Sequence, residues 1–194
     1  TMDLTQGTTQ EKQSRAKKMM LWFGIISLIM SFAGLTSAFI VSSSREDWLS
    51  DFVLPNSFTY STLIIFLSSI FLYAAKQTLK KNQATTTTSL LIGALVLGIA
   101  FIYSQILGFD QIIDSGYNFT GPTSNITMSY VYIIAVVHIV HVLAGIICLI
   151  VVIINQLNKK YSSENTLGFD LASTFWHFVD ILWLYLFFFL YFFN

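Results

Sequence analysis

Charged side chains are scarce in this sequence of 194 residues, since Lys, Arg, Asp and Glu together make up only 10% of it. Soluble domains carry about 25% charged residues. Hydrophobic residues account for 55% of the chain, and its mean hydropathy is +0.68. The 10 cations balance the 10 anions, so no net positive field favours nucleic acid as a partner. A single cysteine, Cys148, excludes an internal disulfide framework and any metal site built from several cysteines. The composition is that of a membrane protein.

Five apolar segments are long enough to cross a bilayer, whose hydrocarbon core requires about 20 residues of helix. They are continuous rather than alternating, which favours α-helices over β-strands. The predicted fold is therefore all-α and polytopic, with a polar N-terminal segment over residues 1–18 and one membrane domain over 19–194. The predicted spans cover about 19–41, 57–79, 86–109, 128–154 and 168–193.

Lysine and arginine fall almost entirely on one side of this five-span arrangement. Under the positive-inside rule, that side is cytoplasmic, so the N-terminus is expected inside and the C-terminus outside. The inner cations are Lys12, Arg15, Lys17, Lys18, Lys76, Lys80, Lys81, Lys159 and Lys160. The outer side carries Arg45 and the acids Glu46, Asp47, Asp51, Asp110 and Asp114.

All three histidines and one aspartate lie inside predicted spans, where an ionisable group costs at least about 2.5–3.5 kcal/mol. They are His138 and His141 in the fourth span and His177 and Asp180 in the fifth. From the rise of a helix, His141 and Asp180 both lie about 20 Å from the outer side. We therefore expect these two side chains to meet across a contact between the fourth and fifth helices.

Two tryptophans, Trp176 and Trp183, share a helical stripe with Asp180 and are expected to frame that contact. Three functions remain open on residue types alone. The polar group could ligate a metal or haem, form part of a proton path, or hold helices together by hydrogen bonds. A single carboxylate weakens the metal hypothesis, because di-metal helical bundles usually supply several.

Small residues recur on one face of the first span, at Ser27, Ser31, Gly34 and Ala38. Gly145 occupies a similar position beside the histidines of the fourth span. Small residues allow close approach of transmembrane helices, so both features predict helix packing. The partner of the first-span stripe could be internal or another subunit.

Several motifs resemble those of haem–copper oxidase subunit III, over nearly the whole chain from residue 19. WHFVDILWLYLF at 176–187 resembles the signature of that family's last helix, and HIVHVLAG at 138–145 resembles the H-G-x-H-V-x-x-G motif of the helix before it. Gln105 resembles a glutamine near the end of the third span. FAGLTSAFIV at 32–41 is similar to the first span of the short, five-helix bacterial form.

The resemblance implies a subunit without a redox centre, in a respiratory complex of the bacterial inner membrane that reduces O2 to water and pumps protons. Such a subunit packs on the catalytic subunit I, which holds the haems and copper, and binds phospholipid. It implies no metal or cofactor in this chain, and structural roles for His138, His141, His177 and Asp180. Membership of a larger respiratory supercomplex stays open.

Two carboxylates that many family members carry are missing here. Leu28 stands where the first span usually has a glutamate, and Gly108 replaces the acid that follows Gln105. A proton-conducting role for this chain is therefore less expected. The alternatives are a quinol oxidase subunit III or an accessory subunit of nitric oxide reductase. In a different class, a small transporter or metal enzyme would use the histidines.

Overall fold

The computed structural model describes residues 8–49, 54–119, 121, 124–161 and 166–193. Asp51, placed above on the outer side, and residues 1–7 of the polar N-terminal segment lie outside this range. The described residues form five α-helices: α1 (Thr9–Ser42), α2 (Asn56–Lys80), α3 (Ala84–Asp114), α4 (Ile126–Leu157) and α5 (Leu167–Phe192). Each is long and apolar enough to cross a membrane, which confirms the predicted all-α, five-span fold.

The first helix begins well before the apolar segment that predicted it, and its N-terminus has a capping box. The Thr8 hydroxyl accepts a hydrogen bond from the Glu11 N–H at 3.3 Å, and the Glu11 carboxylate accepts one from the Thr8 N–H at 2.8 Å. This reciprocal pair satisfies donors that a helix N-terminus otherwise leaves free. The polar turns from Thr9 onward therefore continue the membrane helix rather than forming a separate segment.

Four of the helices form a closed ring in which α2 packs on α3, α3 on α4, α4 on α5 and α5 on α2. The most extensive of these contacts joins α2 and α3. The first helix lies outside the ring against α4 and α5, burying Ile25, Phe32 and Phe39. No Cα atom of α1 comes within 8 Å of α2 or α3 in the described part of the chain. One edge of α5 is therefore open between α1 and α2.

The connection after α1 is tied to the start of α4. The Leu49 N–H donates to the Thr127 hydroxyl at 2.9 Å, and the Asn125 amide donates to the Asp47 carbonyl at 3.2 Å. Arg45 and Asp47 form an exposed ion pair at 2.8 Å, and this hydrogen-bonded contact holds the pKa of Asp47 below its usual range. These contacts fix the C-terminal end of α1 even though few of its residues are buried.

The end of α4 requires a left-handed backbone at a residue that is not glycine. Lys159 has φ of +54°, and the turn is closed by hydrogen bonds from Lys159 N–H to the Gln156 carbonyl and from Lys160 N–H to the Asn155 carbonyl, each at 3.0 Å. A residue with a Cβ atom pays about 1–2 kcal/mol in this conformation, whereas glycine adopts it freely.

We predict that Lys159→Gly gives a more stable protein than Lys159→Val, by about 1 kcal/mol. Both changes remove the same charge, so the difference between them isolates the backbone conformation. Thermal unfolding in a single detergent measures it. Equal midpoints for the two variants would show that the left-handed turn is not maintained in the folded protein.

Candidate functional site

The polar residues of the last helix contact α2. The Ser69 hydroxyl and His177 Nδ1 lie 2.5 Å apart, and the indole N–H of Trp183 donates to the Thr62 hydroxyl at 3.0 Å. Near the start of α5, Asp170 forms an ion pair of 2.8 Å with Lys76. Three side chains of α5 therefore bind the same face of α2, along most of the length of both helices.

Asp180 lies one turn beyond His177 and is only 4% exposed. Its carboxyl group faces Ser69 without completing a hydrogen bond, and neither oxygen has a hydrogen-bond partner among the described residues. Burying a carboxyl group without a hydrogen-bond partner is costly.

The expected contact between His141 and Asp180 is wrong for the residues that the structure describes. His141 Nδ1 lies 2.7 Å from the Val137 carbonyl of its own helix, and its ring packs edge-on against Phe32 of α1, 5.7 Å between centroids. The rotation of each helix about its axis separates the two side chains. His141 faces α1, while Asp180 and His177 face α2.

His138 is fully buried inside a group of aromatic rings. Phe32, Phe101 and Trp183 surround it, with ring centroids 6.3, 5.9 and 5.1 Å away. Neither ring nitrogen has a hydrogen-bond partner in the described residues. These surroundings are apolar, so His138 packs as an aromatic ring. None of the three rings around it carries a group that ligates metal ions.

Histidine, cysteine, aspartate and glutamate side chains do not converge in the described ranges, where no three of them could hold a metal ion together. His138 and His141 both pack edge-on against Phe32 of α1, whereas His177 lies against Ser69 of α2.

Trp176 occupies a slot between two glycines. A Cβ atom on Gly98 of α3 would lie 2.6 Å from the indole, and one on Gly145 of α4 would lie 3.0 Å from it. The side chain is 1% exposed, and its N–H has no partner among the described residues. The predicted packing role of Gly145 thus has a specific partner, and Gly98 is a second position that the sequence alone did not reveal.

Gln105 donates from its side-chain amide to the Ser61 hydroxyl at 2.8 Å and is fully buried between α3 and α2. One turn later, a Cβ atom on Gly108 would overlap the Phe58 ring. The phenyl ring therefore occupies the space that a side chain at residue 108 would need. Asp110, two residues further along α3, is exposed.

The small-residue stripe of α1 does not pack against any other described helix. Ser27, Ser31 and Gly34 are exposed, Ala38 is partly exposed, and a Cβ atom on Gly34 would meet nothing within 4 Å. The Ser31 hydroxyl donates to the Ser27 carbonyl of its own helix at 2.9 Å. An internal partner for the stripe is thus ruled out in the described chain, because α1 buries its phenylalanine face instead.

Sequence reasoning missed the hydroxyl groups of α2, three of which contact polar side chains of α3 and α5: Ser61 binds Gln105, Thr62 binds Trp183 and Ser69 contacts His177. Their only signal was a repeat of serine on one face of the second span. The residues concerned are Ser57, Ser61, Thr62, Ser68 and Ser69.

Comparison with known proteins matches this chain to one family. The family model described as cytochrome c oxidase subunit III covers residues 4–194. Cytochrome c oxidase subunit 3 of Drosophila melanogaster is 29% identical over 203 aligned positions, covering 94% of this chain and 72% of the relative. Cytochrome bo(3) ubiquinol oxidase subunit 3 of Buchnera aphidicola is 27% identical, covering 96% and 92%. The probable cytochrome c oxidase subunit 3 of Rickettsia prowazekii is 35% identical, covering 68% and 46%.

We predict that Gly98→Val destabilises the isolated chain by about 1–3 kcal/mol, because the added methyl groups overpack the Trp176 slot. Gly34→Val is the matched control, since it makes the same change in another helix interior but in open space. Unfolding in detergent should separate the two variants. Equal loss of stability in both would mean that Trp176 does not occupy the slot.

We also predict that Ser69 and His177 are energetically coupled. A double-mutant cycle with Ser69→Ala and His177→Phe should give about 0.6–1.7 kcal/mol, the range of measured hydrogen bonds between membrane helices. The same cycle with Ser31→Ala in place of Ser69→Ala should give no coupling. A coupling near zero for Ser69 would contradict the contact between α2 and α5.

Proposed function

The chain belongs to the cytochrome c oxidase subunit III family, and on that premise we propose that it is the non-catalytic subunit III of a respiratory haem–copper oxidase. The observation that carries the proposal is the family match over residues 4–194, which includes all five helices. In this role the chain packs on the catalytic subunit, stabilises it and brings no redox centre of its own. The haems and copper then belong to the partner subunits.

The surroundings of the histidines support a structural rather than a catalytic role. His138 is enclosed by aromatic rings, His141 bonds to a carbonyl of its own helix, and His177 bonds to Ser69. A metal site requires ligating side chains that point to a common centre, and among the described residues no three such side chains do so. The oxidase chemistry is therefore assigned to the complex.

We place the chain in a bacterial inner membrane with its N-terminus in the cytoplasm. The cations near the ends of α1, α2 and α4 support this orientation under the positive-inside rule. A groove of about 580 Å³ between α1, α4 and α5 has apolar walls and Lys17 at its mouth. An acyl chain fits such walls, and an anionic headgroup fits the lysine, so the groove is the proposed phospholipid site.

Cytochrome c is the electron donor that we propose for the complex. Two of the three relatives described above are named for cytochrome c oxidase, as is the family model, whereas the Buchnera relative is named for ubiquinol oxidase. The donor binds to partner subunits, so a quinol oxidase is the alternative within the same family.

The test is purification of the intact complex through a tag on this chain, from native membranes in mild detergent. We predict a haem- and copper-containing partner that consumes O2 with reduced cytochrome c. The same membranes carrying an untagged chain are the control for non-specific binding. Recovery of the chain without haem would contradict the proposal. Turnover with quinol alone would show that quinol, and not cytochrome c, is the electron donor.

A further inference from the structure

One strip of α5 faces outward between α1 and α2, and we name it the α5 furrow. Its residues are three or four positions apart: Asp170, Thr174, His177, Ile181, Tyr185 and Phe188. The apolar members are well exposed, with Ile181 at 65%, Tyr185 at 47% and Phe188 at 51%. Both neighbouring helices contact α5 here, yet they do not approach each other. The furrow is therefore a groove with two helical walls.

Specific contacts define each wall of the furrow. On the α2 side, Asp170 pairs with Lys76 at 2.8 Å and His177 lies 2.5 Å from Ser69. On the α1 side, Ile29 and Ala33 line a cavity of about 420 Å³ together with residues of α5 that include Ile181. The strip from residue 170 to residue 188 is about 27 Å long, close to the thickness of the hydrocarbon core.

The middle of the furrow contains polar side chains at a depth where the surrounding lipid is apolar. His177 is ten residues from the start of α5, or about 15 Å along the helix, which is half of a core about 30 Å thick. Both His177 and Ser69 are partly exposed there. Acyl chains provide no hydrogen-bonding group, and headgroups lie at the two ends of the helix. A polar side chain facing this region requires a protein partner.

His177 is partly exposed in the furrow, and its two ring nitrogens differ in their surroundings. Nδ1 lies 2.5 Å from the Ser69 hydroxyl, whereas Nε2 makes no hydrogen bond within the described residues. A ring nitrogen donates or accepts according to the tautomer. The furrow thus presents a hydrogen-bonding nitrogen halfway across the membrane, with apolar surface on its C-terminal side.

We propose that the α5 furrow is the surface on which a transmembrane helix of the catalytic subunit packs, with a polar group of that helix hydrogen-bonded to His177 Nε2. The inference rests on the proposed function, which supplies the partner subunit. The length of the furrow matches one membrane-crossing helix. Its three-and-four spacing is the pattern of helices that cross at about 20°. The polar ring nitrogen favours a protein occupant over an acyl chain, which has no hydrogen-bonding group.

Photo-crosslinking in the intact complex tests this surface. A photoreactive amino acid replaces Ile181 in the furrow, and the matched control carries it at Ile99 of α3, which is 54% exposed and outside the furrow. We expect a covalent product with the catalytic subunit from residue 181 and none from residue 99. A product from 181 with phospholipid alone, or with a second copy of this chain, would overturn the inference. So would a catalytic-subunit product from 99 in place of 181.

A second measurement does not depend on the photochemistry. Ile181→Trp fills the furrow and should reduce the amount of chain retained in the purified complex about tenfold relative to Ile99→Trp. Equal retention of the two variants would refute the furrow as the interface.

Co-purification of unmodified chain with the catalytic subunit separates the two proposals. If that association is absent, the proposed function fails, whereas association with a negative result at residue 181 removes only the furrow.

Discussion

Hydrocarbon offers no hydrogen bonds, so a polar side chain between the helix ends is stabilised by a protein partner. In this chain the hydroxyl-bearing helix α2 supplies such partners to several groups of α3 and α5. Ser68 donates to the Ala94 carbonyl of α3 at 3.0 Å, and Ser104 of α3 donates back to the Ser57 carbonyl at 3.0 Å. Short side chains permit these bonds only when the helices are close, which accounts for the extensive contact of α2 with α3.

The same helix positions α5, whose WHFVDILW segment meets a different neighbour at each polar or aromatic residue. Trp176 fits against glycines of α3 and α4, His177 contacts α2, and Trp183 lies between α2 and the His138 ring. A helix that contacts three others over eight residues tolerates few alternatives. This explains why so polar a segment is retained in the membrane without having to bind a cofactor.

Much of the fold could be predicted from the sequence, because span length and lysine distribution depend on the bilayer rather than on detailed packing. The site was less predictable. Depth along a helix follows from residue number, but facing direction depends on how every helix is rotated, so His141 was paired with Asp180 rather than placed on Phe32. Ser69 gave no signal as the partner of His177, since serines recur throughout these spans. The N-terminal turns of α1 were not predicted, because their residues are polar and a membrane span is recognised by its apolar length.

The central claim is that this chain exposes a polar and apolar furrow because a helix of the catalytic subunit completes it. An experimental structure of the purified complex in lipid tests that claim most directly. The account predicts a partner helix lying along α5, with a hydrogen-bonding polar atom within about 3 Å of His177 Nε2. Acyl-chain density along the furrow, with the catalytic subunit bound to α3 or α4 instead, would contradict it.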